Sequence, residues 1–401
     1  MSRTETPRIL EGIRVVELSH VLAGPHCGRQ LADLGAEVIK VESPDTGDYT
    51  RAIAVTDGSQ NSVYFTNQNA GKRGLAVDIA RAEGQGVIRD LAAVSDVVLE
   101  NFRPGVLRRF ALDWDALRQV NPRLVMCSIS AFGQTGPLAA LPGFAYSAAA
   151  FSGAMHLDRG QDGRPHVAHL AAPDILAAMT AVGAIGLALL HRERTGQGQH
   201  IDVSLLDCVL AAEDAATPRL LNGEPYPVQR RPGVTVHEAA DGFVVIMVTT
   251  DTMFARFAQA IGRPELAQDP RFVTRPLRNE HREELEQIVE AWVRSLPDRA
   301  AALERLERHR VPCAPVLSVE EAHAHPHSVA RATLETVQDP VHGPRRVFRS
   351  ALRFSATPLR PQGPAPARIG AHTREVLAKV LGYDEARIEA LLASGAVRQG
   401  A

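Results

Sequence analysis

The first half of the chain repeats one pattern. Short apolar runs alternate with stretches whose apolar positions recur three or four residues apart. IRVVEL (13–18), EVIKVE (37–42), LAVDI (75–79), SDVVLEN (95–101) and RLVMCSIS (123–130) have the length and β-branched content of strands buried on both faces. HCGRQLADLG (26–35), RAEGQGVIRDLAAV (81–94) and WDALRQV (114–120) have helical spacing between them. Strands joined by helices predict a parallel sheet, and the α/β core is expected to be a Rossmann-like, doubly wound domain. A long apolar helix follows in HLAAPDILAAMTAVGAIGLALLHR (169–192). ERTGQGQ then reads as a turn and HIDVSLLD as a strand running into a helix.

The pattern changes after residue 217. PRLLNGEPYPVQRRPGV (218–234) is rich in Pro and Arg and reads as a linker. One strand, DGFVVIMVT, and three helical stretches then predict a smaller α+β domain over 235–325. Residues 326–401 are expected to return to the large domain begun by 1–217, with a Pro-rich segment and two closing helices, REVLAKVLG and DEARIEALLAS.

Composition narrows the function. The 401 residues suit two domains. They are 45% hydrophobic and 22% charged, an ordinary globular balance. A net charge of −2 supports neither nucleic acid nor a membrane surface as a partner. The N-terminus lacks an apolar leader. The apolar run at 175–190 is too short and too rich in Ala and Gly for a convincing membrane span. Cys27, Cys127, Cys208 and Cys313 are widely scattered, which points to no disulfide or zinc framework and to a cytoplasmic protein. Among many arginines only Lys40, Lys72 and Lys379 are lysines, a hint that a compact ammonium was wanted at those positions.

Several residues invite a chemical reading. The first strand–loop–helix unit has Gly24, Pro25, Gly28 and a later Glu42, but it lacks GxGxxG, and Pro25 offers no N–H to a pyrophosphate. A Gly/Pro turn therefore outweighs a dinucleotide site. His323, His325 and His327 could form a metal tract, yet Pro326 and EEAHA read as a helix end. His166 and His169 read as polar loop residues or proton carriers. ENFRPGVLRRF ends a strand, where open α/β sheets bind ligands, and brings Asn101, Arg103 and Arg109 as donors for a phosphate-bearing molecule. NAGKRGL sets Lys72 and Arg73 in a glycine-flanked loop suited to the same task. Arg230 and Arg231 read as a solvated pair or as a receptor for a carboxylate. Asp174 stands alone at the front of the long apolar helix. It reads as an N-cap, or as a carboxylate kept ionised by the helix terminus and able to attack an activated acyl group.

Longer stretches resemble a known family. LEGIRVVELSHVLAGPHCGRQLADLGAEVIKVESPDTGD, NAGKRGLAVDI, VLENFRPGVLRRFALDWDALRQVNPRLVMCSISAFGQTGP and PDILAAMTAVGAIGLALLHRERTGQGQHIDVSLLD resemble the family III CoA-transferases, a fold shared with α-methylacyl-CoA racemase. The resemblance implies an interlocked homodimer and no permanently bound cofactor. It implies coenzyme A bound on the large domain, with Val21, Leu22 and Ala23 as contacts, Lys72 at the adenosine phosphate, and Asn101, Phe102 and Arg109 along the site. It also implies Asp174 as the nucleophile that passes CoA from an acyl-CoA donor to a carboxylic acid, dicarboxylates such as succinate being the class the family favours. The racemases of this fold carry Gly-His-Asp where this chain has Gly143, Phe144 and Ala145, which argues against racemisation. Many of the transferases have an acid near position 145, so the acceptor side of this chain departs from theirs.

Overall fold

In the computed structural model, the described residues are 7–53, 55, 61–160, 162–214, 216–224 and 233–400. They form two units, 1–224 with 332–401, and 225–331.

The larger unit is built on seven strands: β1 (Arg14–Leu18), β2 (Glu37–Glu42), β3 (Arg73–Val77), β4 (Val97–Glu100), β5 (Val125–Ser130), β6 (Gln199–Ser204) and a short C-terminal strand, Val397–Arg398. The order is C-terminal strand, β3, β2, β1, β4, β5, β6. All neighbours are parallel except the C-terminal strand, which runs against β3. The chain starts in the middle, winds out to β3, and then crosses to β4 on the other side of β1. The crevice between the carboxyl ends of β1 and β4 is therefore the switch point, where sheets of this order bind ligands.

The apolar runs are continuous because both faces are covered. Val15, Val97, Leu99, Val125 and Cys127 face one core, with α1 (Ala23–Asp33) and the long helix Ala172–Thr195 above them. Val16, Ile39, Val98 and Met126 face the other core, under helices that include Ala82–Ala93 and Thr373–Lys379. Strand alternation sends neighbouring residues to opposite cores.

Helix α1 starts three residues earlier than its spacing suggests. Leu22 is its N-cap and Pro25 lies in the first turn, where a missing N–H costs nothing and the fixed φ helps. Two close approaches explain its glycines. A Cβ on Gly24 would stand 2.3 Å from the Ser19 Cβ, and one on Gly28 would stand 1.8 Å from a Glu17 carboxylate oxygen.

The long helix ends at Gly196, in the left-handed conformation favoured after a helix (φ 75°). Among the described residues it alone has the length and apolarity to cross a membrane, so as a helix it exceeds the 175–190 run. Its inner face packs on β5, β6 and α1.

Residues 218–221 of the expected linker belong to a helix, Ala216–Leu221. Arg230 and Arg231 lie outside the described residues. An antiparallel hairpin, Leu334–Asp339 with Gly343–Phe348, belongs to the larger unit, where the sequence pattern predicts no strands. The smaller unit has a three-stranded antiparallel sheet, Val234–Ala239, Gly242–Met247 and Cys313–Val316. Its core is built round Phe254, Phe257, Phe272 and Trp292.

Candidate active site

Asp174 is the third residue of its helix, inside the first turn and not at the cap, which is Ala171. Its carboxylate is half-buried and accepts no hydrogen bond among the described residues. Burial pushes its carboxyl up to about 6. At neutral pH an acid of that strength is still mostly ionised, but it is a weaker acid than the helix terminus alone would make it. The terminus attracts the anion by about 0.3–1 kcal/mol, and loss of water outweighs it.

The same helix start brings Asp174 into the electrostatic field of Tyr64, on the helix Val63–Asn69. Burial, then the charge of Asp174, then Tyr49 and Asp48 push the Tyr64 hydroxyl up to about 12, so it stays a hydrogen-bond donor at neutral pH. Tyr146 contributes as well, from the helix that begins at Ala145. None of these three tyrosines stands out in the sequence. SVYF looks like ordinary helix core, and only the fold brings it to Asp174.

The loop between β1 and α1 is held from below and from the side. Asn101 grips the His20 backbone twice, accepting from its N–H at 2.8 Å and donating to its C=O at 2.8 Å. The Phe102 ring stands edge-on to the His20 ring at 5.6 Å. Val21 has φ 70°, an uncommon and strained value for a β-branched residue. Its N–H points at Asp48, with oxygens at 3.3 and 3.4 Å. Asp48 also accepts from the Thr50 hydroxyl at 2.7 Å and backbone N–H at 3.0 Å, and pairs with Lys40 at 3.1 Å. Burial opposes ionisation of Asp48, but Lys40 and Thr50 win and hold its carboxyl down at about 2.

A buried relay of charge lies beneath this loop. Lys40 also contacts Glu17 at 3.4 Å and donates to the Ser19 carbonyl at 2.8 Å. Lys72 pairs with Glu17 at 2.7 Å and donates to the Pro25 carbonyl at 2.8 Å and to Asn69 at 3.0 Å. None of these side chains is exposed. Burial lowers the Lys72 ammonium to about 8, because it shares one carboxylate. Lys40 suffers the same burial, yet Glu17 and Asp48 together raise it.

The reading of Lys72 and Arg73 as free cations on a flexible loop is therefore corrected. Lys72 is a structural ion that braces β1 against α1. Arg73 opens β3 and pairs at 2.8 Å with Glu37, the first residue of β2, on the amino side of the sheet. Arg103 and Arg109 are exposed. The guanidinium of Arg109 lies 6.0 Å from the Phe110 ring. Leu22 and Ala23 begin α1, so the backbone there presents helix-terminal N–H groups.

Other candidates have plainer places. His166 and His169 are exposed. His325 caps the short helix Pro326–Ala330 by accepting from the His327 N–H. Among the described residues no group of His, Cys, Asp and Glu is arranged to hold a metal ion.

The fold thus provides one partly desolvated acid with Tyr64 in its field, and a strained loop whose Val21 N–H faces Asp48, a second acid in the field of the same tyrosine. A covalent acyl carrier is the chemistry such an acid suits. Comparison with known proteins supplies the family. A profile of CoA-transferase family III matches residues 10–373. The chain is 38% identical to succinate–glutarate CoA-transferase of Agrobacterium fabrum, over 92% of this chain and 95% of that one. It is 33% identical to formyl-CoA:oxalate CoA-transferase of Streptomyces coelicolor, over 98% of this chain and 100% of that one. A crystal structure of a CAIB/BAIF family protein from Brucella suis superposes with a TM-score of 0.82 at 34% identity, covering 94% of this chain and all of the other. The chain belongs to CoA-transferase family III, and it is an enzyme of that family.

Proposed function

We propose that this enzyme moves coenzyme A from an acyl-CoA to a free carboxylic acid through covalent intermediates on Asp174. The observation that carries the reading is a partly desolvated carboxylate with no hydrogen-bond partner among the described residues, set in the first turn of its helix with its charge acting on Tyr64. The Asp174 oxygen attacks the thioester carbonyl; a C–O bond forms, the C–S bond breaks, and CoA leaves as thiolate. The thiolate attacks the Asp174 carbonyl of the mixed anhydride, giving an aspartyl thioester and releasing the first acid. The acceptor carboxylate then attacks that thioester, and the returning thiolate takes the new acyl group and frees Asp174. Tyr64, protonated at neutral pH, suits a donor to the oxyanions that form on the way. Water must stay out, because hydrolysis would dissipate the energy held in the anhydride.

In this reading the backbone of Val21, Leu22 and Ala23 contacts CoA, and Arg103 and Arg109 meet its phosphates. Asn101 and Phe102 fix the loop, and Lys72 supports it from below. Names of relatives such as succinate–glutarate CoA-transferase favour dicarboxylic acids as donor and acceptor acids. Racemisation would need an acid and a base flanking the α-carbon, and Phe144 and Ala145 supply neither.

A Rossmann-like description of the sheet, an interlocked homodimer and a cytoplasmic setting belong to the same proposal. Leu176, Thr180, Gly183, Leu187 and Leu190 form an exposed, mainly apolar stripe on the long helix, a face that a second copy would cover. The four scattered, free cysteines support the reducing compartment.

The test is intact-protein mass after mixing with a panel of acyl-CoAs, followed by hydroxylamine. A CoA-sized adduct that hydroxylamine removes, and that Asp174→Ala never forms, is expected. Deuterium entering the α-carbon of a branched acyl-CoA, with no adduct, would overturn the covalent reading.

A further inference from the structure

The smaller unit contains a cavity of about 70 Å³ between the strands Val234–Ala239 and Gly242–Met247 and the helices Asp251–Ala260, Arg275–Glu280 and Arg282–Arg294. Its wall is largely apolar, with Ile246, Phe254, Leu285 and Val289 among the lining residues. Three guanidinium groups also line it: Arg275, Arg278 and Arg282.

Their charges are not balanced. Buried Arg278 lies 4.6 Å over the Phe254 ring and donates to the Phe272 carbonyl at 2.9 Å and to Asp251 at 2.6 Å. Arg282 pairs with Glu286 at 2.6 Å. Arg275 has neither an ion pair nor a hydrogen bond among the described residues. Three cations thus meet two carboxylates, and one positive charge is left beside an apolar hole. Asn279, one helical turn from Arg275, also lines the cavity and offers an amide donor. The lining His237 is already committed, since its ring nitrogens meet Thr235 at 2.8 Å and Glu290 at 3.2 Å.

An unmatched guanidinium and an amide at the rim of an apolar pocket select an amphipathic anion. The excess of one charge suits a monoanion. Each water-sized position takes about 10–15 Å³ of such volume, so the cavity holds roughly five to seven non-hydrogen atoms. We propose that this cavity binds a short-chain monocarboxylate, with its carboxylate on Arg275 and Asn279 and its alkyl group against Phe254, Leu285 and Val289. The assignment rests on the smaller unit alone and stands whether or not Asp174 is the nucleophile.

Titration of the full-length protein with butanoate, read by calorimetry or ligand-observed NMR, tests it. Butanoate should bind with a dissociation constant of about 1 mM, as suits six non-hydrogen atoms. Butanamide, of the same shape without the charge, should bind at least about tenfold more weakly. Arg275→Ala, an exposed position whose loss leaves the core intact, should weaken butanoate by about tenfold. Leu285→Trp, which fills the hole, should abolish binding. Equal binding of butanoate and butanamide, or wild-type affinity in Arg275→Ala, would overturn the proposal. So would the absence of any butanoate binding.

Discussion

Asp48 and Asp174 are two carboxylates in the field of one tyrosine, and they are driven in opposite directions. Asp48 has Lys40, Thr50 and the Val21 N–H around it, and its carboxyl sits at about 2. Asp174 has burial and, among the described residues, no partner, and its carboxyl sits at about 6. Burial alone does not make an acid structural or reactive. Partners that satisfy its lone pairs turn it into scaffold, and their absence leaves a group with free-energy reason to change state.

The largest expected effect breaks the pair apart by function. Asp174→Ala should lower kcat by at least about 10³-fold, the scale seen when a covalent nucleophile is removed. CoA should still bind, measured by titration. Turnover retained in that variant would remove Asp174 from the chemistry.

The next effect concerns the scaffold side. Lys72→Ala leaves Glu17 with a single buried cation, Lys40, and should cost about 3–5 kcal/mol of stability, read as a shift of the urea midpoint at constant slope. An unchanged midpoint with a raised KM for acyl-CoA would return Lys72 to the ligand and erase its likeness to Asp48.

A third experiment uses pH. An attacking carboxylate must be ionised, so kcat/KM should fall about tenfold per pH unit below about 6. Asp48 titrates far below this range and contributes no limb there. A flat profile down to pH 5 would show that Asp174 ionises as an ordinary acid.

The sequence showed Asp174 because a lone acid in an apolar helix is a local anomaly. It did not show the acid's state, since desolvation depends on what packs over the helix start. Parallel strands were legible because both faces are buried and the runs are unbroken. The hairpin at Leu334–Asp339 and Gly343–Phe348 was not, because LETVQD puts Glu335 and Asp339 on the same face as Val337, and GPRRVF puts an arginine on each face. Lys72 misled for a related reason. Its neighbours are glycine and arginine, while its partner Glu17 lies on another strand and meets it only through the fold. The scarcity of lysine was the better signal. Two of the three are fully buried ammonium groups, each tied to Glu17.

The smallest effect asks what Asp174 costs the fold. The Asp174 carboxyl is raised from 3.8 to about 6 on folding, so between those values the native state holds more protons than the unfolded chain. Stability therefore falls as pH rises through that window, and the full penalty persists above it. Two pH units correspond to less than about 3 kcal/mol, and partial exposure reduces this to about 1–2 kcal/mol. Asp174→Asn keeps the shape and removes the charge. It should raise the urea midpoint relative to wild type at pH 8, and the gain should vanish near pH 4, where the native acid is already neutral. Asp48→Asn should do the reverse at pH 8, because there the charge is matched by Lys40 and its loss strands a buried cation. A gain of stability in both variants, or in neither, would mean that partners do not separate the two acids.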